Sequence, residues 1–235
     1  MKTRFHQRIE EKTASAKVPP VLVVALGDSV TQGCMEIDVI DPVNVYHNVL
    51  KQMLERRHPG ATFSVYNAGV GGDNAAGGLK RLKRDVIRHD PDLVIVGFCL
   101  NDACAGRKGL AKYRKNMEAI VNKICAKTQA DVIILTPNFM ASKETPGIAE
   151  EHRHFAKTIL GCQNEGILKA YVDELRDLAR SLKVPVADVH TAWEKMAAAG
   201  EDVNAMLCNG LNHPDVPRQR LIAETAMAVL ESGLV

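Results

Sequence analysis

Four short segments of this 235-residue chain carry residue types that can do chemistry, and each also has a plain structural reading. Gly27-Asp28-Ser29-Val30-Thr31-Gln32-Gly33 is a tight turn that offers a serine hydroxyl as a nucleophile, although glycine, aspartate and serine equally build ordinary turns and helix N-caps. In Asn67-Ala68-Gly69-Val70-Gly71-Gly72-Asp73-Asn74, several glycines let backbone N–H groups face a ligand. Gly97-Phe98-Cys99-Leu100-Asn101-Asp102 presents a side-chain amide that can donate to a developing oxyanion, or form an Asx-turn into the next helix. Asn209-Gly210-Leu211-Asn212-His213-Pro214 places an imidazole just ahead of a helical pattern, with Pro214 suited to a first helical turn.

Other chemistries are weaker. A dinucleotide loop would need a third glycine after Gly69 and Gly71, where Asn74 stands, and no acidic residue follows at the required strand end. His152 and His154 lie two apart on an expected helix and so on different faces, which reads as surface histidines and not as a metal pair. Asp188 and His190, beside Trp193, read as a strand-to-helix turn, and Asp28 as the residue that shapes the turn around Ser29. No cofactor or metal is expected.

These segments need a scaffold. Val21 to Leu26 is a continuous β-branched and aliphatic run closed by Gly27, as in a strand buried on both faces. Similar runs at Ala61 to Tyr66, Leu93 to Gly97, Val132 to Leu135 and Val184 to Val186 give five expected buried strands. Between them, Val45, Val49, Leu50, Met53 and Leu54, and then Leu110, Tyr113, Met117, Ile120, Val121 and Ile124, repeat on a helical period. Helices also suit 74–89, 149–160, 165–182 and 215–231. Strands alternating with such helices imply right-handed βαβ crossovers and a parallel sheet covered on both sides, an α/β three-layer α/β/α sandwich of flavodoxin-like plan. Chemistry in such sheets gathers at the carboxyl ends of the strands, where three of the four segments fall; the fourth precedes the last helix.

In this order and spacing, over residues 21 to 231, the four segments together resemble the SGNH hydrolases, or GDSL-like lipases and esterases. The resemblance implies Ser29 as nucleophile, Gly72 within Gly71-Gly72-Asp73 as the glycine of the second block, Asn101 as the asparagine of the third, and His213 as the base. A serine hydroxyl needs an imidazole to take its proton. The Ser29 and Gly72 backbone N–H groups and the Asn101 amide would then stabilise the tetrahedral oxyanion, and water would release the acyl group from the enzyme. It also implies a small-molecule ester as substrate, with a short acyl ester such as an acetylated carbohydrate favoured and lysophospholipid or thioester hydrolysis open. Two readings from other classes stand beside it: a non-catalytic carbohydrate-binding module, and a flavin- or nucleotide-binding protein on a similar sheet.

One departure matters. The family usually has an aspartate three residues before its histidine, and Gly210 stands there. Three groups can orient His213 instead: the side chain of Asn209, a backbone carbonyl, or a distant acid such as Asp188 or Asp202. Without an adjacent carboxylate the imidazolium is less stabilised, so a lowered histidine pKa and modest activity are expected.

Composition narrows the partners. Thirty Lys plus Arg against 28 Asp plus Glu leave a net charge of +2, too small a field to gather nucleic acid. The densest basic run, Lys80, Arg81, Lys83, Arg84 and Arg88, reads as a solvated helix face. Six cysteines without a C-x-x-C pair suit reduced thiols in the cytoplasm. Residues 1–20 lack the apolar core of a signal peptide and are expected as a peripheral arm or short helix. The hydrolase domain is expected to fill 21–235. No stretch approaches the roughly 20 apolar residues that span a bilayer, so no membrane insertion is expected, and the oligomeric state is not legible.

Overall fold

The computed structural model describes residues 3–36 and 39–233. Residues 1, 2, 37, 38, 234 and 235, which fall within the two spans expected above, lie outside the described residues. A helix α1 (Arg4–Ala14) precedes β1 (Val21–Gly27), a one-turn α2 (Ser29–Gln32), α3 (Tyr46–Arg57) and β2 (Phe63–Gly69). Then come α4 (Ala75–Asp85), β3 (Leu93–Gly97), a short α5 (Leu100–Ala103), α6 (Leu110–Lys127) and β4 (Asp131–Leu135). The chain ends with α7 (Arg153–Asn164), α8 (Ile167–Leu182), β5 (Val186–Ala187), α9 (Val189–Ala198) and α10 (Val216–Ser232).

All five strands are parallel, in the order β2-β1-β3-β4-β5. The chain steps outward from β1 to β2 through α3, then back past β1 to β3 through α4. Crossovers of one hand taken in opposite directions put α3 and α4 on opposite faces of the sheet. Accordingly α3 packs on α10, while α4, α6 and α8 pack in series. The direction of winding reverses between β1 and β3, and the crevice at their carboxyl ends is where such sheets bind ligands.

Three glycines close the neighbouring strands in register: Gly27 pairs with Gly69 on one side and Gly97 on the other. A Cβ on Gly27 would fall 2.1 Å from Thr31 Oγ1 and 2.6 Å from the Gly97 carbonyl, and one on Gly69 would fall 2.2 Å from the Gln32 nitrogen. The bare backbone lets α2, and with it Ser29, settle onto the sheet's carboxyl edge.

The differences from the sequence expectations have local causes. β2 is an edge strand, with Ser64, Tyr66 and Asn67 exposed, so only one of its long sides is paired and the expected burial on both faces fails there. The helix expected over 74–89 stops at Asp85 and continues as a 3-10 turn, and that over 149–160 begins with one. Within the segment expected to be a peripheral arm or short helix, residues 1–20, the described residues form α1, which is more than peripheral: it buries Phe5 and Ile9 in the main core, each worth about 1.5–3 kcal/mol. Phe5 N donates to Asp131 and Arg8 Nε to Asp92, which also accepts from Leu22 N, so α1 is tied to the amino ends of the strands, opposite the crevice.

Candidate active site

Asp28 caps α2 by accepting from Val30 N at 3.0 Å, and Gly33, at φ +93°, ends the helix after one turn. Ser29 is thereby the first helical residue, at the end of β1 and largely buried. After the turn, the chain brings the Met35 carbonyl back toward the crevice.

His213 arrives from the other end of the sequence. Its Nε2 lies 3.0 Å from Ser29 Oγ and its Nδ1 lies 2.8 Å from the Met35 carbonyl oxygen. A carbonyl can only accept, so Nδ1 carries the hydrogen and Nε2 presents its lone pair to the serine hydroxyl. Burial holds the His213 pKa below its usual 6.5, with His152 nearby acting in the same direction and the bond to the Met35 carbonyl opposing.

Of the three groups expected to orient this ring, the backbone carbonyl is the one in place. Asn209 instead shapes the loop: its Oδ1 accepts from Leu211 N, Asn212 N and His213 N at 2.9–3.0 Å. Asp188 is held by Arg176 and Thr136 and caps α9, and Asp202 is paired with Lys143, so neither approaches the imidazole. Gly210 sits at φ +69°, and a Cβ there would meet Thr145 Oγ1 at 2.6 Å. The loop has no room for an ordinary side chain at the position where the family has its acid.

Gly72, at φ +72°, and Asn101, in α5, line the same cleft as Ser29 and His213. One hydrogen of the Asn101 amide donates to the Asp73 carbonyl at 2.8 Å, which aims the side chain and leaves the second hydrogen for a ligand. The Gly71-Gly72 turn is pinned by Gln32, whose Oε1 accepts from Gly71 N at 2.6 Å. Beneath these groups lie two carboxyls, Asp28 and Asp102, both pushed up to about 7 chiefly by burial. Asp102 accepts from Ala75 N with both oxygens. Among the described residues, no group of three or more His, Cys, Asp or Glu could hold a metal ion.

Sequence reading missed several supporting residues. Arg81, assigned to a solvated helix face, is mostly buried: it donates to the carbonyls of Gly27 and Ala68 and pairs with Asp73 and Asp85. It therefore braces the ends of β1 and β2 and the glycine loop together. The acids at Asp73 and Asp85, eight residues before and four after, were the available signal. Of the two histidines expected at the surface, His154 is exposed, but His152 is half-buried and lines the cleft with Phe155, Thr158 and Ile159 of α7. The cleft, about 790 Å³, is further lined by Glu36, Val39, Ile40 and Leu211.

The architecture is that of the SGNH hydrolases, and the profile of the GDSL-like Lipase/Acylhydrolase family matches residues 25–217. The chain belongs to that family and is a carboxylic ester hydrolase. Among solved structures it is similar to the lipase/acylhydrolase from Enterococcus faecalis, at 23% identity and TM-score 0.69, covering 91% of this chain and 97% of that one. It is also similar to an acetylxylan esterase from Geobacillus stearothermophilus, at 16% identity and TM-score 0.70, covering 92% and 96%. A two-domain esterase active on acetylated mannans matches at 20% identity and TM-score 0.70, covering 97% of this chain and 53% of that one. No curated protein matches. Among the described residues no helix is long and apolar enough to cross a membrane.

Proposed function

We propose that the chain hydrolyses a short-acyl carboxylic ester, with an acetylated carbohydrate as the favoured class, through an acyl-enzyme on Ser29. The observation that carries this reading is the 3.0 Å contact between Ser29 Oγ and His213 Nε2, in the tautomer that the Met35 carbonyl imposes. Ser29 passes its proton to Nε2 as Oγ attacks the ester carbonyl carbon. The carbonyl oxygen gains the charge and is stabilised by the Ser29 and Gly72 N–H groups and the Asn101 amide. His213 then gives the proton to the departing alcohol, takes one from the water that attacks the acyl carbon, and returns it to Ser29 Oγ as the carboxylic acid leaves.

The Met35 carbonyl does part of the work of the missing acid. It keeps the imidazole in the productive tautomer, whose loss in a Ser–His–Asp enzyme costs about 10⁴-fold. It offers only a dipole to the imidazolium, where a carboxylate would offer a full charge, which supports modest turnover. Polar side chains along the cleft, Asn74, Thr158 and Asn212, suit the hydroxyls of a sugar alcohol. The solved esterases that act on acetylated mannans and xylan support the acetyl assignment.

A second reading, hydrolysis of a longer acyl ester, is favoured by the apolar side of the cleft, where Val39, Ile40 and Phe155 are each about half exposed. A series of p-nitrophenyl and sugar acyl esters, run on the wild type and Ser29→Ala, separates the two. Short esters hydrolysed best, with fluorophosphonate labelling lost in the variant, support the proposal. A maximum at longer acyl chains supports the second reading, and an inert protein that binds sugar makes it a binding module. The six free cysteines support residence in a reducing compartment.

A further inference from the structure

The wall of the cleft contributed by α7 meets α5 where the Cys162 thiol reaches the backbone beside Cys104. Phe155, Thr158, Ile159 and Cys162 fall at positions i, i+3, i+4 and i+7 of α7 and so share one face. The first three line the cleft, and Cys162 is buried behind them, its thiol donating to the Ala103 carbonyl at 3.4 Å. The next residue, Cys104, caps α5; it is exposed, lines the cleft, and reaches the Leu100 carbonyl at 3.6 Å. Through its bond to Ala103 the Cys162 thiol is held against the backbone of the residue next to Cys104, and the neighbouring thiol lowers the Cys104 pKa and raises that of Cys162. The accessible member is thus the more easily ionised one, and the sheltered member stands beside it to resolve what forms there.

We propose that Cys104 and Cys162 are a redox site, which a hydroperoxide closes into a disulfide that staples α7 to α5 and reversibly lowers turnover at Ser29. The Cys104 thiolate attacks the O–O bond, becoming a sulfenic acid as the alcohol, or water from hydrogen peroxide, departs. The Cys162 sulfur then displaces the sulfenic hydroxyl, which leaves as water with the Cys162 proton. Two electrons pass from the thiols to the peroxide. Drawing the two sulfurs to bonding distance pulls the end of α5 toward α7. Asn101 is one turn back on the same short helix, and a displacement of about 1 Å at such a donor can cost about 10²-fold in rate.

The test is treatment of the full chain with hydrogen peroxide, followed by intact mass, non-reducing peptide mapping and turnover before and after dithiothreitol. The expected result is the loss of two hydrogens, a Cys104–Cys162 cross-linked peptide, and a fall in kcat of about tenfold or more that the reductant reverses. Cys162→Ser keeps a donor for the Ala103 carbonyl and lies outside the cleft lining, so it retains basal turnover but forms no cross-link and shows no reversible loss. A map showing Cys104 over-oxidised with no bond to Cys162, or a cross-linked protein of unchanged turnover, overturns the proposal. The cross-link is read by mass and stands or falls apart from the esterase assignment, which would fail separately if the reduced protein were inert toward every ester.

Discussion

The Nδ1 of His213 lies 2.8 Å from the carbonyl oxygen of Met35, a residue only six positions beyond the serine that its Nε2 contacts. The turn that presents Ser29 therefore also supplies the acceptor that orients His213. Ring and hydroxyl are thus aligned by one loop, Ser29 to Met35.

The first consequence is in the pH profile. Below its pKa His213 carries hydrogens on both nitrogens and cannot accept from Ser29. Because burial lowers that pKa from 6.5, the acidic limb of kcat/KM is expected below pH 6.5. The same sign holds for stability: the unfolded ring binds a proton that the folded ring refuses, so the contribution of His213 is lost as pH falls through the window beneath 6.5. A limb centred well above 6.5 contradicts this.

Asn101→Ala removes the amide but leaves Ser29 and His213 in place. The expected effect is about 10²–10³-fold in kcat with KM little changed, as for an interaction made mainly in the transition state. Equal fluorophosphonate labelling rates in variant and wild type would speak against it.

Restoring the family's acid by Gly210→Asp is expected to fail. A residue with a Cβ is strained at φ +69° and collides with Thr145 and Ile148, which together cost on the order of 1–3 kcal/mol. The imidazole is already engaged by Met35, so kcat does not rise. Thermal melting and steady-state kinetics of the variant check both halves.

Arg81→Met removes the ion-pair partner of Asp73 and one of the two on Asp85, which keeps Arg84, and releases the carbonyls of Gly27 and Ala68. Leaving buried acceptors without their donor in this way costs about 1–3 kcal/mol. Arg81→Lys recovers only part, since a point charge cannot span both carbonyls and both acids. Denaturant melts would show the order wild type, Lys, Met, and a Met variant as stable as wild type would refute the bracing role.

The serine, glycine, asparagine and histidine blocks, which the fold brings to one cleft, could be picked out because each is a local run of residue types whose chemistry is carried by side chains or by glycine itself. The parallel α/β order was legible for a similar reason, since β-branched runs and helical periods are properties of the chain read along its length. The missing aspartate at position 210 was visible too.

What replaced that aspartate was not. Every residue has a carbonyl, so nothing in the letter Met35 marks it as the group that holds an imidazole; only the fold of the turn decides which carbonyl points there. Arg81 was opaque for a related reason, because a basic run looks the same whether its members meet water or close on carbonyls and acids from three segments. Cys104 and Cys162 are 58 residues apart, and the bond of the Cys162 thiol to the neighbouring Ala103 carbonyl arises only when α7 settles against α5. The sequence alone determined which groups can react, because reactivity belongs to residue type, whereas orientation belongs to distances that exist only after the chain has packed.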